Sequence, residues 1–195
     1  MLTKLNNKAV ANVTSIPVAL GDMVLVSSAT ASSSASVEFT LGNYKEYQFY
    51  FVDIHPANDG VSFGFNGSTD NGSNYNVIKT TTFFRAEQSE SGVFSGLSYQ
   101  TSHDLAQSTG NQKLSPNIGN DADQTVSGYL QIFNPSSITY VKHFIANSNS
   151  VHADNYTQNN YMAGYFNDTN DLTNIKFEFS SGNIDAGTIL MYGIN

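Results

Sequence analysis

From Met23 onward the chain alternates apolar and polar residues with a period of two, the spacing of half-buried β-strands. "MVLVSS" and "SASVEFTL" predict two strands around a Ser/Ala-rich turn, with Val37 and Phe39 on one face. In "EYQFYFVDI", Tyr47, Phe49 and Phe51 point one way and Gln48, Tyr50 and Val52 the other. Both faces carry apolar character, which predicts a central strand. His55-Pro56 ends it, because proline cannot donate to a ladder. "VSFGF" predicts the next strand, followed by a polar loop whose Asn-Gly pairs, 66–67 and 71–72, are turn signals. "IKTTTFF" is β-branched and aromatic. Residues 86–125 carry little periodicity apart from "GLSYQT", and the signal returns in "VSGYLQIF", "ITYVKHFIA", "NYMAGYF", "TNIKFEF" and "GTILMYGI". About ten strands separated by turns, with no convincing long helix, predict an all-β antiparallel β-sandwich of jelly-roll type.

The two ends of the chain read differently. Residues 1–22 form a short N-terminal arm, where Leu2, Leu5, Ala9, Val10 and Val13 make a stripe at helical spacing that Asn12 and Pro17 limit. A free helix of that length is marginal in water, so the arm docks on the sandwich or a neighbour, or serves as a first edge strand. Residues 23–195 form the sandwich domain. Ile175, Phe177 and Phe179 share one strand face, and 187–194 is expected to pair back antiparallel after the loop. A final strand buried in a sheet needs no tail.

Composition narrows the function. Only 12% of the 195 residues are charged, and solubility rests on Ser, Asn, Thr and Gly, which β-rich folds place in turns. The 13 Phe and 11 Tyr argue against disorder. A net charge of −8 without a basic stripe argues against nucleic-acid binding. The lack of cysteine removes disulfides and thiolate chemistry, and fits synthesis in a reducing cytosol. No secretion signal is recognisable in the first residues, where Lys4, Asn6, Asn7 and Lys8 interrupt the apolar pattern. No apolar run approaches the ~20 residues of a membrane helix.

No motif names a reaction. His55, His103, His143 and His152 show no zinc-ligand spacing, and His143 reads as a partly buried structural imidazole. Asp53, Asp59, Glu87, Glu90 and Asp104 are the carboxylates that a glycoside-cleaving pair would draw on, but turn formation accounts for most of them. No GxSxG elbow occurs. The loops 66–74, 119–123 and 167–171 offer oxygen ligands without the EF-hand spacing, and turn chemistry explains all three. The sequons at Asn12, Asn66, Asn71, Asn155 and Asn167 match chance in so Asn-, Ser- and Thr-rich a chain. No catalytic, metal or cofactor site is assigned. Tyr156, Tyr161 and Tyr165 lie in "DNYTQNNYMAGYF" and suit strand packing, a protein interface or sugar stacking, because the ring is apolar and its hydroxyl wet.

"LQIFNPSSITYVKHFIA", "YMAGYFNDTNDLTNIKFEFSSGNIDAGTI" and "YGI" resemble a β-sandwich domain of marine bacteriophage virion structural proteins, tail-fibre-like or capsid-decorating. The similarity extends back through "ASSSASVEFT", "YKEYQFYFVDIHPA" and "TTTFFRA". It implies a non-enzymatic virion component made in the host cytoplasm and displayed on the particle surface, with other virion proteins as partners and no membrane. The short segment before the sandwich favours a compact capsid-decorating protein or small tail appendage over a fibre. A homotrimer is expected by symmetry and by the resemblance. Where the family commonly has Lys in the last strand, this chain has Leu190, on one face with Tyr192; these two are the candidate interface. A lectin-like module that recognises host surface glycans is the alternative reading.

Overall fold

The computed structural model describes residues 22–195, so the arm expected over 1–22 lies outside the described residues save for Asp22. Twelve strands follow: β1 (Met23–Thr30), β2 (Val37–Thr40), β3 (Glu46–Pro56), β4 (Val61–Ser68), β5 (Lys79–Ser89), β6 (Ser95–Tyr99), β7 (Gln112–Ile118), β8 (Val126–Phe133), β9 (Lys142–His152), β10 (Tyr156–Phe166), β11 (Asn174–Phe179) and β12 (Ile184–Ile194). Every pairing is antiparallel.

Two layers face each other. One runs β2-β11-β4-β7; the other begins β1-β12-β3-β8 and continues through β9, β10 and β5 to β6. The first four strands of the larger layer against the four of the smaller give the jelly-roll order. The β5–β6 and β9–β10 hairpins are insertions that widen one sheet. A single bridge, Ile118 to His152, ties β7 to β9 along one margin.

Phenylalanine fills the space between the layers. Phe177 of β11 meets Phe39, Phe49, Phe51, Phe63 and Phe65, with ring centroids 5.2–6.4 Å apart. Tilted and edge-on arrangements dominate, as ring quadrupoles favour. Phe65 passes the contact on to Phe144 and Phe166 under the inserted hairpins.

The structure departs from the sequence reading at four places. β11 and β12 do not pair: β11 lies between β2 and β4, and β12 between β1 and β3. Their apolar residues face each other across the core instead, so the 180–183 loop crosses between layers. Asn66-Gly67 is no turn but part of β4. The Asn66 amide is buried and hydrogen-bonded, and a Cβ on Gly67 would lie 2.6 Å from Leu172 Cδ1 and 2.8 Å from Phe166 Cε1. By contrast, Asn71-Gly72 does turn the chain, both with positive φ.

β9 starts at Lys142, leaving Ile138 and Tyr140 on an exposed loop, and runs on through polar residues to His152. β7 gave little signal because its partners are polar. Ser148 Oγ donates to the Leu114 carbonyl (2.6 Å), Ser115 and Ser150 hydroxyls lie 2.6 Å apart, and Gln158 Nε2 donates to the Pro116 carbonyl. Buried polar groups hold their place only when so paired.

Candidate functional site

The period of two sends alternate residues of the larger sheet to its outer face, and antiparallel register aligns them across strands. One lateral row reads Leu190, Tyr50, Tyr129, Asn147, Tyr161, Phe84, Tyr99 from β12 to β6. Five of the seven are aromatic. Phe84 and Tyr161 stack at 5.0 Å with planes 9° apart, and Tyr50 meets Tyr192 edge-on at 5.7 Å.

Beside this row the floor drops. Thr82, Ala163 and Ile145 lie on neighbouring strands, and Gly164 follows Ala163. The short side chains of Thr82 and Ala163 and the bare Gly164, beside Ile145, open a cavity of ≈ 440 Å³ toward Thr80, His143, Tyr165 and Phe133. A smaller one of ≈ 200 Å³ opens toward Phe84, Tyr129, Asn147 and Tyr161, sharing Thr82, Ile145 and Ala163. Together they form one shallow groove with an aromatic wall at each end. No Asp, Glu, Lys or Arg lines it, in a chain of net charge −8.

The polar groups of the wall are held by neighbours. Asn159 Nδ2 donates to the Tyr161 hydroxyl (2.8 Å), and Asn147 Nδ2 donates to Asn159 Oδ1 (2.8 Å). His143 lies 6.0 Å from the Tyr165 ring. It is exposed, not the partly buried imidazole the sequence suggested.

Of the three candidate tyrosines, two meet at this groove. Tyr156 has the opposite parity on β10, sharing the inward side with Gln158 and Asn160. It stacks on His152 at 4.0 Å, and burial pushes its phenol up. Burial also holds the His152 imidazole below its usual value, against the pull of Asp154. Leu190 and Tyr192 lie on the same outer face, both half-buried beside Tyr50. Phe84 escaped sequence reading because strand alternation in "TTTFFRA" left its face undecided between two adjacent phenylalanines.

The candidate carboxylates disperse to separate partners. Asp53 faces the Ser127 hydroxyl, Asp59 accepts from the Asn120 backbone N–H, Glu87 pairs with Arg85 at 2.7 Å, and Asp104 accepts from the Tyr99 hydroxyl. Asp70 organises its own loop: it accepts from Ser68 Oγ (2.7 Å), Asn74 N–H (2.9 Å) and Asn74 Nδ2 (2.7 Å). Those donors, Asn74 foremost, pull its carboxyl down to about 2. Among the described residues, no three His, Asp or Glu side chains converge as a metal site would require.

Lys79 is the most unusual buried group. It is fully buried at the start of β5, and its Nζ donates to Asn66 Oδ1 (2.5 Å) and the Val77 carbonyl (2.8 Å), 5.5 Å from the Phe166 ring centre. Desolvation pushes its ammonium down to about 7. Lys142, also buried, donates to the Asp168 and Asn170 carbonyls, which pins the loop before β11.

Compared with known proteins, the chain matches no protein-family model, no curated protein and no solved structure.

Proposed function

We propose that this protein is a non-enzymatic structural component of a bacteriophage virion, displayed on the particle surface as a capsid-decorating protein or small tail appendage. The observation that carries the reading is the resemblance of 130–146, 161–189 and 192–194 to virion β-sandwich domains. Those segments supply half of β8, the start of β9, the second half of β10, all of β11 and nearly all of β12, and with them the core residues Phe144, Phe166, Ile175 and Phe177. The jelly roll is compatible with this role but hosts many others. Mass spectrometry and immunogold labelling of purified particles test it. Detection in infected cells but not in particles would sink the proposal.

The groove favours a second reading, recognition of a host surface glycan. An uncharged trough with aromatic rings at both ends and Thr, Asn and His groups along it offers a pyranose apolar stacking and hydrogen bonds together. Its uncharged lining suits neutral saccharides. On a glycan array, binding is expected to fall on Tyr161→Ala and on Tyr165→Ala while Tyr156→Ala leaves it intact. Loss with Tyr156→Ala alone, or no neutral glycan bound, removes this reading.

A further inference from the structure

We propose that the outer edge of β6 is a self-pairing surface, at which two copies of this chain join their large sheets through a two-fold axis at Leu97. β6 is the last strand of the eight and hydrogen-bonds to β5 alone among the described residues. The ladder fixes which groups face outward. The Phe94 carbonyl accepts from Ser89 N–H, and Gln100 N–H donates to the Phe83 carbonyl, both at 2.9 Å. Backbone direction alternates along a strand. Positions 94, 96, 98 and 100 therefore turn toward β5, while Ser95, Leu97 and Tyr99 present N–H and C=O to the outside.

Three outward positions centred on one residue are self-complementary. In an antiparallel pair of β6 strands, Leu97 opposes Leu97 of the second copy, and Ser95 opposes Tyr99. Every outward donor then meets an outward acceptor. An isologous contact has this form.

Natural edge strands are usually guarded by charge, proline, a bulge or shortness. β1 has a bulge between Leu25 and Ser27, and β2 has four residues and an exposed Glu38. β6 reads "SGLSY", pairs without a bulge, and has neither charge nor proline. Leu97 is 72% exposed, and Val93 in the preceding turn is 87% exposed. Residues 91–102 contain no Asp, Glu, Lys or Arg, although the chain carries −8. Two such chains can meet here without opposing like charges, which is why the second copy is the occupant. The proposal stands independently of the virion and glycan readings.

Leu97→Pro is a selective test. The lost N–H points outward, so the β5 ladder keeps its hydrogen bonds, and proline is tolerated at such edge positions. Sedimentation velocity of the full chain across a wide concentration range is expected to show association through this contact: a dimer, or a pair of trimers where Leu190 also holds a three-fold contact. In Leu97→Pro the dissociation constant should rise at least about tenfold, with the circular dichroism spectrum and melting temperature retained. Leu97→Lys, which keeps the backbone donor but adds charge, should weaken the dimer too. A wild type that stays monomeric throughout, or an oligomer of any size that both variants leave intact, overturns the proposal.

Discussion

Replacing Lys79 by methionine should make the protein more stable in acid, although it removes two hydrogen bonds. The ammonium is buried against Phe166 with only the Asn66 and Val77 oxygens as partners, and its pKa falls from 10.5 to about 7. That difference corresponds to about 5 kcal/mol against the charged form. The unfolded chain binds this proton up to its higher pKa, so stability rises with pH between about 7 and 10.5. It is complete above the upper value and lost as pH falls through the lower one. From pH 5 to pH 9 the group alone contributes a rise of about 2.5–3 kcal/mol, or roughly 5–12 °C in Tm for a domain of this size.

Methionine removes that dependence. It leaves the Val77 carbonyl without its partner, at about 1–3 kcal/mol, while Asn66 Oδ1 still accepts from Gly67 N–H. The net expectation is a gain of about 2–4 kcal/mol at pH 5 that shrinks to near zero at pH 9. Urea unfolding of both forms at a series of pH values reads it directly, because every other titrating group cancels in the difference. A difference that stays flat from pH 5 to pH 9, or a variant weaker than wild type at pH 5, would refute the reasoning.

Three other perturbations probe separate parts of the molecule. Phe177→Ala, at the centre of five aromatic contacts, should cost about 3–5 kcal/mol in denaturant unfolding; a loss below 1 kcal/mol would mean that the core repacks around it. For Asp70, whose carboxyl is held down to about 2, the contribution is present above the unfolded value of 3.8 and lost as pH falls through about 2. Carboxyl titration by NMR in wild type should show that low value, and Asp70→Asn should raise amide exchange at Asn74 at neutral pH but no longer change it in acid. Leu190→Lys tests the expected trimer contact: the long stem can lie along Tyr50 with its ammonium in water, so the monomer should fold. Sedimentation of a trimer unchanged by this substitution would remove Leu190 and Tyr192 from the interface.

The sequence by itself determined the class of fold and much of the core. Because a strand offers each side chain one of two directions, period-two alternation put Phe49 with Phe51, and Phe177 with Ile175 and Phe179, on common faces, and both sets are buried. Turn chemistry located Asn71-Gly72, where two successive residues need positive φ. The tyrosines of β10 were picked out as a group of three, and strand parity divides them, with Tyr161 and Tyr165 on one side and Tyr156 on the other.

What only the tertiary structure decided was pairing between distant strands, since alternation says which way a side chain points but not which strand lies beside it. It separated β11 from β12 into opposite layers and brought Phe84 against Tyr161 through the β5–β10 ladder. Polarity misled wherever burial was offset by hydrogen bonds, as with Asn66, Lys79 and the serines of β7 and β9. Those residues look like surface in one dimension, and only folding supplies the partners that let them stay inside.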